Sequence, residues 1–270
     1  MARAPGPGGP ASFHKRGSRA AIATELASLA WLDVAGGAPV AAVLGSGAAW
    51  LETRFMASGV PGREAAAEFG RGLAVTHRSG AQRWGQAPPG LDPADLRLAE
   101  LPAPADAGGP EPCWPSFGQF YAEARLRPYL DASAAFDVEA RRLLHRACDR
   151  IASGAFDAAQ PEGCGDIARI HGDLWHGNVV WAAAGDGVAG TLIDPCAHGG
   201  HAETDLAELG VFGAPHLDAI LGGYQELGPL AEGWPDRVGL HQFHMVLVHV
   251  RLFGAPYLAQ AIQTANSLLS

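Results

Sequence analysis

The sequence predicts an α+β fold of two unequal lobes: a small sheet-bearing N-terminal lobe reaching about Thr53, and a larger, mainly helical lobe beyond it. Three observations lead there. Short strand-like runs cluster before residue 54, at Ser12 to Arg16, Pro39 to Leu44 and Ala48 to Arg54. Beyond that point, apolar positions recur at helical spacing in one segment after another. The helical run is broken by two strand-like segments, Asn178 to Ala183 and Val188 to Ile193, joined at the turn signal Gly185-Asp186-Gly187.

At 270 residues and 48% hydrophobic, the chain can bury a sizeable core. A formal net charge of -9 argues against general nucleic-acid binding, which needs a basic face, and suits cationic or amine-bearing substrates. The apolar stretches are too short to span a membrane, and the first residues lack the apolar core of a secretory signal. Cys113, Cys148, Cys164 and Cys196 are widely spaced without a C-x-x-C pair, so neither zinc nor a disulfide framework is expected. The reducing cytoplasm is the expected location.

Taken in order, residues 1–12 are rich in Pro and Gly and are expected to form a disordered arm. Ser12 to Arg16 reads as a strand and Ala20 to Asp33 as a helix with Ile22, Leu26 and Leu29 on one face. The strands at Pro39 to Leu44 and Ala48 to Arg54 would join at Gly45-Ser46-Gly47, the second running into an interlobe hinge. Arg63 to Arg78 suits an amphipathic helix. Residues 80–113 read as an irregular surface excursion. Core helices are expected at Pro115 to Leu130, with Arg125 as helix-surface charge, and at Ala135 to Ile151. Ala197 to Thr204 reads as a loop before a helix beginning at Asp205, where Glu203 and Asp205 would favour the helix dipole. Helices at about Leu217 to Leu227, Pro235 to Phe253 and Tyr257 to Leu268 close the lobe. His241, His244 and His249 are expected as partly buried structural histidines. A metal set of His198, His201 and Glu203 is the less favoured reading of H-G-G-H-A-E.

The chemistry concentrates between residues 166 and 194. Asp173 and Asn178 stand in a D-x-x-x-x-N frame, and Asp194 ends the following apolar run. Phosphoryl transfer from a nucleotide uses such a set: a carboxylate accepts the proton of the attacking hydroxyl, while an amide oxygen and a second carboxylate hold magnesium. A hairpin between Asn178 and Asp194 would bring the two to one end, close enough to share an ion. The competing reading is a surface hairpin in which Asp and Asn are ordinary turn residues.

The run H-G-D-L-W-x-G-N, followed by I-D-P-x-x-x-G-G-H-x-E-x-D-L-A, resembles the fructosamine kinase (ketosamine kinase) family, relatives of the aminoglycoside phosphotransferases. Trp175 separates it from the plainer phosphotransferase motif. The similarity extends from about Phe13 through Phe120 to Leu130 and His241 to Gly254. It implies a protein-kinase-like fold, ATP and Mg²⁺ as cofactors, and phosphorylation of a sugar hydroxyl on a free or protein-bound ketosamine. By the same resemblance Asp173 would be the base and His171 would brace the loop. Asn178 and Asp194 would hold magnesium, and Lys15 would contact phosphate, oriented by Glu25. Hinge backbone at Leu51, Glu52 and Thr53 would bind adenine. An aminoglycoside phosphotransferase-like kinase and a kinase-like binding protein without catalysis are the alternatives. Family members carry a strand, a Gly-containing loop and another strand before the lysine strand. Here fourteen residues precede Lys15, most of them Gly, Pro or Ala, so a shortened sheet lobe and weak MgATP binding are expected.

Overall fold

A computed structural model describes residues 2–3, 11–185 and 187–270. The small lobe is built from β1 (Ala2–Arg3), β2 (Ser12–Arg16), α1 (Arg19–Leu32), β3 (Val43–Gly47) and β4 (Trp50–Arg54). Its strands form one antiparallel sheet in the order β1-β2-β4-β3. Ala2 faces Phe13 and Arg3 faces Ser12, so pairing reaches into the stretch expected to be a disordered arm; residues 1 and 4–10 lie outside the described residues. The side chain of Ser18 caps α1 by accepting from Ala21 N, and buried Ile22 and Leu29 pack with Ala41 and Leu51.

The hairpin of this lobe differs from the expectation in its register. The first strand begins at Val43, Gly45 to Gly47 lie within it, and Ala48-Ala49 make the turn. Trp50 explains the shift. Its indole lies against the glycines, and a Cβ on Gly47 would collide with the ring. These glycines make room for an aromatic cross-strand neighbour rather than forming a turn.

The large lobe begins with α2 (Arg63–Arg78), the bounds the periodicity predicts. The excursion that follows holds a 3₁₀ turn (Pro93–Asp95) and a small hairpin, β5 (Arg97–Leu98) with β6 (Leu101–Pro102). The helix expected from residue 115 is interrupted: α3 (Phe117–Phe120) passes through a π-helical turn (Tyr121–Leu126) into α4 (Arg127–Ala132). Next come α5 (Val138–Ala152), β7 (Ala168–Ile170), β8 (Val179–Ala184), β9 (Gly187–Leu192) and β10 (His198–Gly200). α6 (Ala202–Glu208), α7 (Leu217–Leu227), α8 (Trp234–Phe253) and α9 (Leu258–Leu269) complete the chain. β8 and β9 form the expected hairpin, pairing Val179 with Leu192; Asp186 at its turn lies outside the described residues. β7 pairs antiparallel with β10, so residues expected as loop are in part a strand, and α6 starts three residues earlier than expected.

Two apolar cores hold the large lobe. One joins α2, α7 and the β8–β9 hairpin through Phe69, Leu73, Trp181, Leu192 and Ile220. The other joins α3 through α5 with α8 and α9 through Phe117, Phe120, Leu144, Phe243 and Leu247. The segment 171–178, with the motif residues, connects β7 to β8. Among the described residues no helix is long and apolar enough to cross a membrane.

Candidate active site

The loop from His171 to Asn178 is held by its backbone. His171 N and Gly172 N donate to Asp205 Oδ2 and Oδ1 at 2.7 and 3.0 Å, and Leu174 N donates to Glu208 Oε2 at 3.1 Å. The two α6 carboxylates therefore grip the chain on both sides of Asp173. Gly172 sits at φ 78°, and a Cβ there would strike Cys196 O and His198, so glycine is required. His171 is buried and braces the same loop. Its Nδ1 accepts from Asp173 N at 3.3 Å, and its Nε2 donates to Ile193 O at 3.0 Å. Burial lowers the His171 pKa, which keeps the ring neutral as this pattern requires.

Asp173 is fixed by Asn178, whose Nδ2 donates to Asp173 O at 2.8 Å and to Asp173 Oδ2 at 3.0 Å. Desolvation raises the Asp173 carboxyl to about 8, with repulsion from Asp194 and Asp205 adding to it and the Asn178 amide opposing it. Asn178 begins the β8 side of the hairpin and Asp194 follows β9, at φ 53°, a conformation unfavourable for a residue bearing Cβ. Ile193 N donates to Asn178 O at 3.0 Å, closing this end of the hairpin and holding the two side chains in register.

Across the cleft, Lys15 Nζ on β2 lies 2.8 Å from Glu25 Oε2 on α1 and 2.9 Å from Asp194 Oδ1. Burial and the charge of Asp194 raise the Glu25 carboxyl to about 7 against the pull of Lys15. The Lys15 pKa is held above its usual value by Asp194 and Glu25, against desolvation. The strand lysine, helix glutamate and hairpin aspartate, read separately from the sequence, thus converge on one ion-pair network.

Two adjoining cavities flank this network. One, of about 190 Å³, is mainly apolar, with Phe13, Ala41, Leu51, Met56 and Ile193 in its wall. The other, of about 320 Å³, contains Asp173, Asn178 and Asp194 together with Arg97 and Glu100. The donor set fits Mg²⁺. The Asn178 amide oxygen has no hydrogen-bond donor among the described residues, and Asp194 adds a carboxylate, both hard oxygen ligands.

The hinge expectation is corrected. β4 is flanked by β2 and β3, so the backbone groups of Leu51, Glu52 and Thr53 are committed to ladders on both edges. Leu51 and Thr53 line the apolar cavity with their side chains, whereas Glu52 faces away and accepts from Ser12 Oγ at 2.5 Å. The chain beyond Arg54 supplies the accessible backbone. Phe55 N bonds Ala11 O, while Met56, also in the cavity wall, has no backbone hydrogen bond among the described residues.

Three further residues play parts the sequence did not reveal. Asp205 is no solvated dipole partner. Fully buried, it takes the two loop amides and His77 Nε2 at 3.0 Å, and against desolvation these bonds keep its pKa low. Glu208 is buried beside it; desolvation and the charges of Asp205 and Asp173 raise its carboxyl well above the usual range. Arg125, expected on a helix surface, is buried, with its guanidinium 4.8 Å from the Phe120 ring centroid and Nη1 on Pro104 O at 2.7 Å.

The histidine set rearranges. His201, Glu203 and His241 gather in the interior, with His198 apart from them. Every candidate ligand is engaged: Arg237 grips both Glu203 oxygens at 2.8 and 2.6 Å, His201 bonds Ala158 O and Glu203 N, and His241 bonds Thr204 Oγ1. This is a structural cluster. Glu203 stands in the first turn of α6 as expected and also anchors α8 to α6 through Arg237.

The fructosamine kinase family model matches residues 13–270. A Thermobifida fusca protein provisionally assigned as a fructosamine-3-kinase is 37% identical, with a TM-score of 0.82, covering 97% of this chain and 86% of that one. Mouse ketosamine-3-kinase is 31% identical over 157 residues, which is 56% of this chain and 46% of the mouse protein. The chain spans about a third of the length of the bacterial curated relatives it matches. A thermostable aminoglycoside phosphotransferase APH(4)-Ia, solved as a ternary complex with ADP and hygromycin B, shares the fold at a TM-score of 0.57 and 14% identity, covering 99% of this chain and 93% of its own. With a family match over nearly its whole length, the chain belongs to the fructosamine kinase family.

Proposed function

We propose that this chain is an ATP-dependent kinase that phosphorylates a sugar hydroxyl of a ketosamine. One observation carries the reading: Lys15 ties Glu25 to Asp194 while Asn178 ties down Asp173, both within one cleft. Phosphoryl transfer is mostly positioning and electrostatic stabilisation, and these are the groups it needs. Asn178 and Asp194 would hold Mg²⁺. When bound, the ion neutralises the charge on the phosphates. Lys15 places a cation against the phosphate chain, and Glu25 fixes its direction. The apolar cavity beside Leu51 and Ile193 suits adenine, with the Met56 backbone as its hydrogen-bonding edge. The sugar hydroxyl oxygen forms a bond to the γ-phosphorus, and the bond from that phosphorus to the ADP oxygen breaks. Asp173 in its ionised form, a stronger base than an ordinary carboxylate because its pKa is raised, takes the hydroxyl proton. His171, Asp205 and Glu208 keep the loop in place. The free, unpaired cysteines suit a reducing cytoplasm.

ATP consumption measured against amine-linked fructose and ribulose derivatives, aminoglycosides and plain sugars tests the proposal. Turnover confined to the amine-linked ketoses is expected, and their relative kcat/KM identifies the preferred sugar. Selective turnover of aminoglycosides would assign the chain to the neighbouring kinase class. Tight MgATP binding with no turnover of any acceptor would favour a binding protein.

A further inference from the structure

The cavity that holds Asp173 has a second wall, in which the β5–β6 hairpin places Arg97 and Glu100. β5 and β6 are joined by a two-residue turn, Ala99-Glu100, with Leu98 paired to Leu101. Ala99 stands at φ 52°, a left-handed conformation unfavourable for a residue with a side chain. The strained turn is tethered to α1 at two points. Thr24 Oγ1 donates to Asp95 O at 2.9 Å and accepts from Arg97 N at 3.0 Å, and Ser18 N donates to Glu100 Oε1 at 3.0 Å. Hydrogen bonds from Ser18 hold the Glu100 carboxyl below the usual range, so it is ionised.

The cavity's other carboxylates are committed. Glu25 and Asp194 pair with Lys15, and Asp173 takes Asn178. Glu100 is exposed, lines the cavity, takes its hydrogen bonds from Ser18 and has no ion pair among the described residues. A carboxylate that lines the cavity, is held by Ser18 N and has no cation at ion-pair distance is placed to receive one. The acceptor proposed above carries a secondary amine next to the sugar, protonated near neutral pH.

We propose that Glu100 is a specificity-determining residue that receives the ammonium group of the acceptor, on the opposite side of the cavity from the transferring phosphate. This inference rests on the ketosamine reading. It explains why a strained turn is braced against α1: the tether sets the distance between the amine subsite and the Lys15–Glu25 pair. A charge-assisted hydrogen bond is stronger than a neutral one, and an isostere without the N–H would leave the carboxylate unpaired in the filled cavity.

The test compares two acceptors differing at one atom, 1-deoxy-1-propylaminofructose and the ether 1-O-propylfructose, in the wild-type chain and in Glu100→Gln. Glutamine keeps an oxygen for Ser18 N while removing the charge and turning the second oxygen into an NH2 donor. The ratio of kcat/KM for the amine over the ether is expected to fall about tenfold in the variant, as for loss of one charge-assisted hydrogen bond. A ratio within twofold of wild type overturns the assignment; being a ratio, it is insensitive to any loss of folded protein. Calorimetric titration of the same compounds, with AMP-PNP and Mg²⁺ present, separates this inference from the proposed reaction. Wild-type preference for the amine that disappears in Glu100→Gln supports the subsite even in a chain that transfers no phosphate. Equal binding of amine and ether by wild type overturns it even in an active kinase.

Discussion

Asp173 is the residue on which turnover should hinge, and a near-isosteric change isolates its chemistry. Asp173→Asn removes the proton acceptor but leaves Asn178 and Asp194, so turnover should fall by about 10²–10⁴. Affinity for MgATP in calorimetry should hold, because the nucleotide-facing groups are untouched. Turnover near wild type would remove Asp173 from the role of base. Cys196 makes a different prediction. It is 3% exposed, and burial pushes its thiol up to about 12, so little thiolate forms at neutral pH. Iodoacetamide should label exposed Cys113 and spare Cys196 in the folded chain, as read by mass spectrometry. Rapid labelling of Cys196 would show that the loop opens. The D-x-x-x-x-N frame and the hairpin that brings Asn178 and Asp194 to one end were legible because spacing and turn chemistry are local. Arg125 was not, because a 3.6-residue period assumes an unbroken helix, and the π-helical turn rotates the following side chains out of that register.

At the scale of an element, α6 is the part of the site that sequence reading undervalues. The short D-L-A-E run carries no sign that its carboxylates accept backbone amides 33 to 34 residues upstream. Only the fold brings the helix beneath the loop, so a generic dipole role was the available reading. The two carboxylates should respond differently to substitution. Asp205→Ala strands two loop amides and His77 in the interior and should cost about 3–5 kcal/mol, the range for breaking a buried charged network. Burial raises the Glu208 carboxyl well above its usual range, and Glu208→Gln keeps an acceptor for Leu174 N, so it should cost less than about 1 kcal/mol. Urea unfolding of both variants checks the contrast; equal costs would mean that Glu208 is ionised in the folded chain. The small-lobe hairpin gives the same lesson in miniature. Gly45-Ser46-Gly47 looks like a turn in one dimension, yet Trp50 across the strand pair makes those glycines part of the sheet.

At the scale of the whole molecule, the small sheets, the helical lobe and the β8–β9 hairpin were readable because hydrophobic period and turn chemistry agree there. The electrostatic character of the interior was not, since burial is a property of the assembled fold. His171, His198, His201, His241 and His244 are all buried, and desolvation lowers the pKa of each below that of an exposed histidine. The consequence is acid sensitivity, and its sign follows from proton counting. In the unfolded chain these rings bind a proton near pH 6.5, while in the folded chain His201 and His244 stay neutral down to about 3. Between those values the unfolded state binds more protons, so stability falls as pH falls. Raised carboxyls such as Glu208 act in the opposite sense, which makes a difference measurement the clean one. His244 is suited to it. Its Nε2 has no hydrogen-bond partner among the described residues, its Nδ1 lies 3.6 Å from Glu208, and its ring packs against Tyr129. In His244→Leu the slope of unfolding free energy against pH, between pH 6 and 4, should be shallower than wild type by about 1.4 kcal/mol per pH unit, one proton's worth. Parallel slopes in urea titrations across that window would show that His244 protonates in the folded state and that the interior around α8 admits the charge.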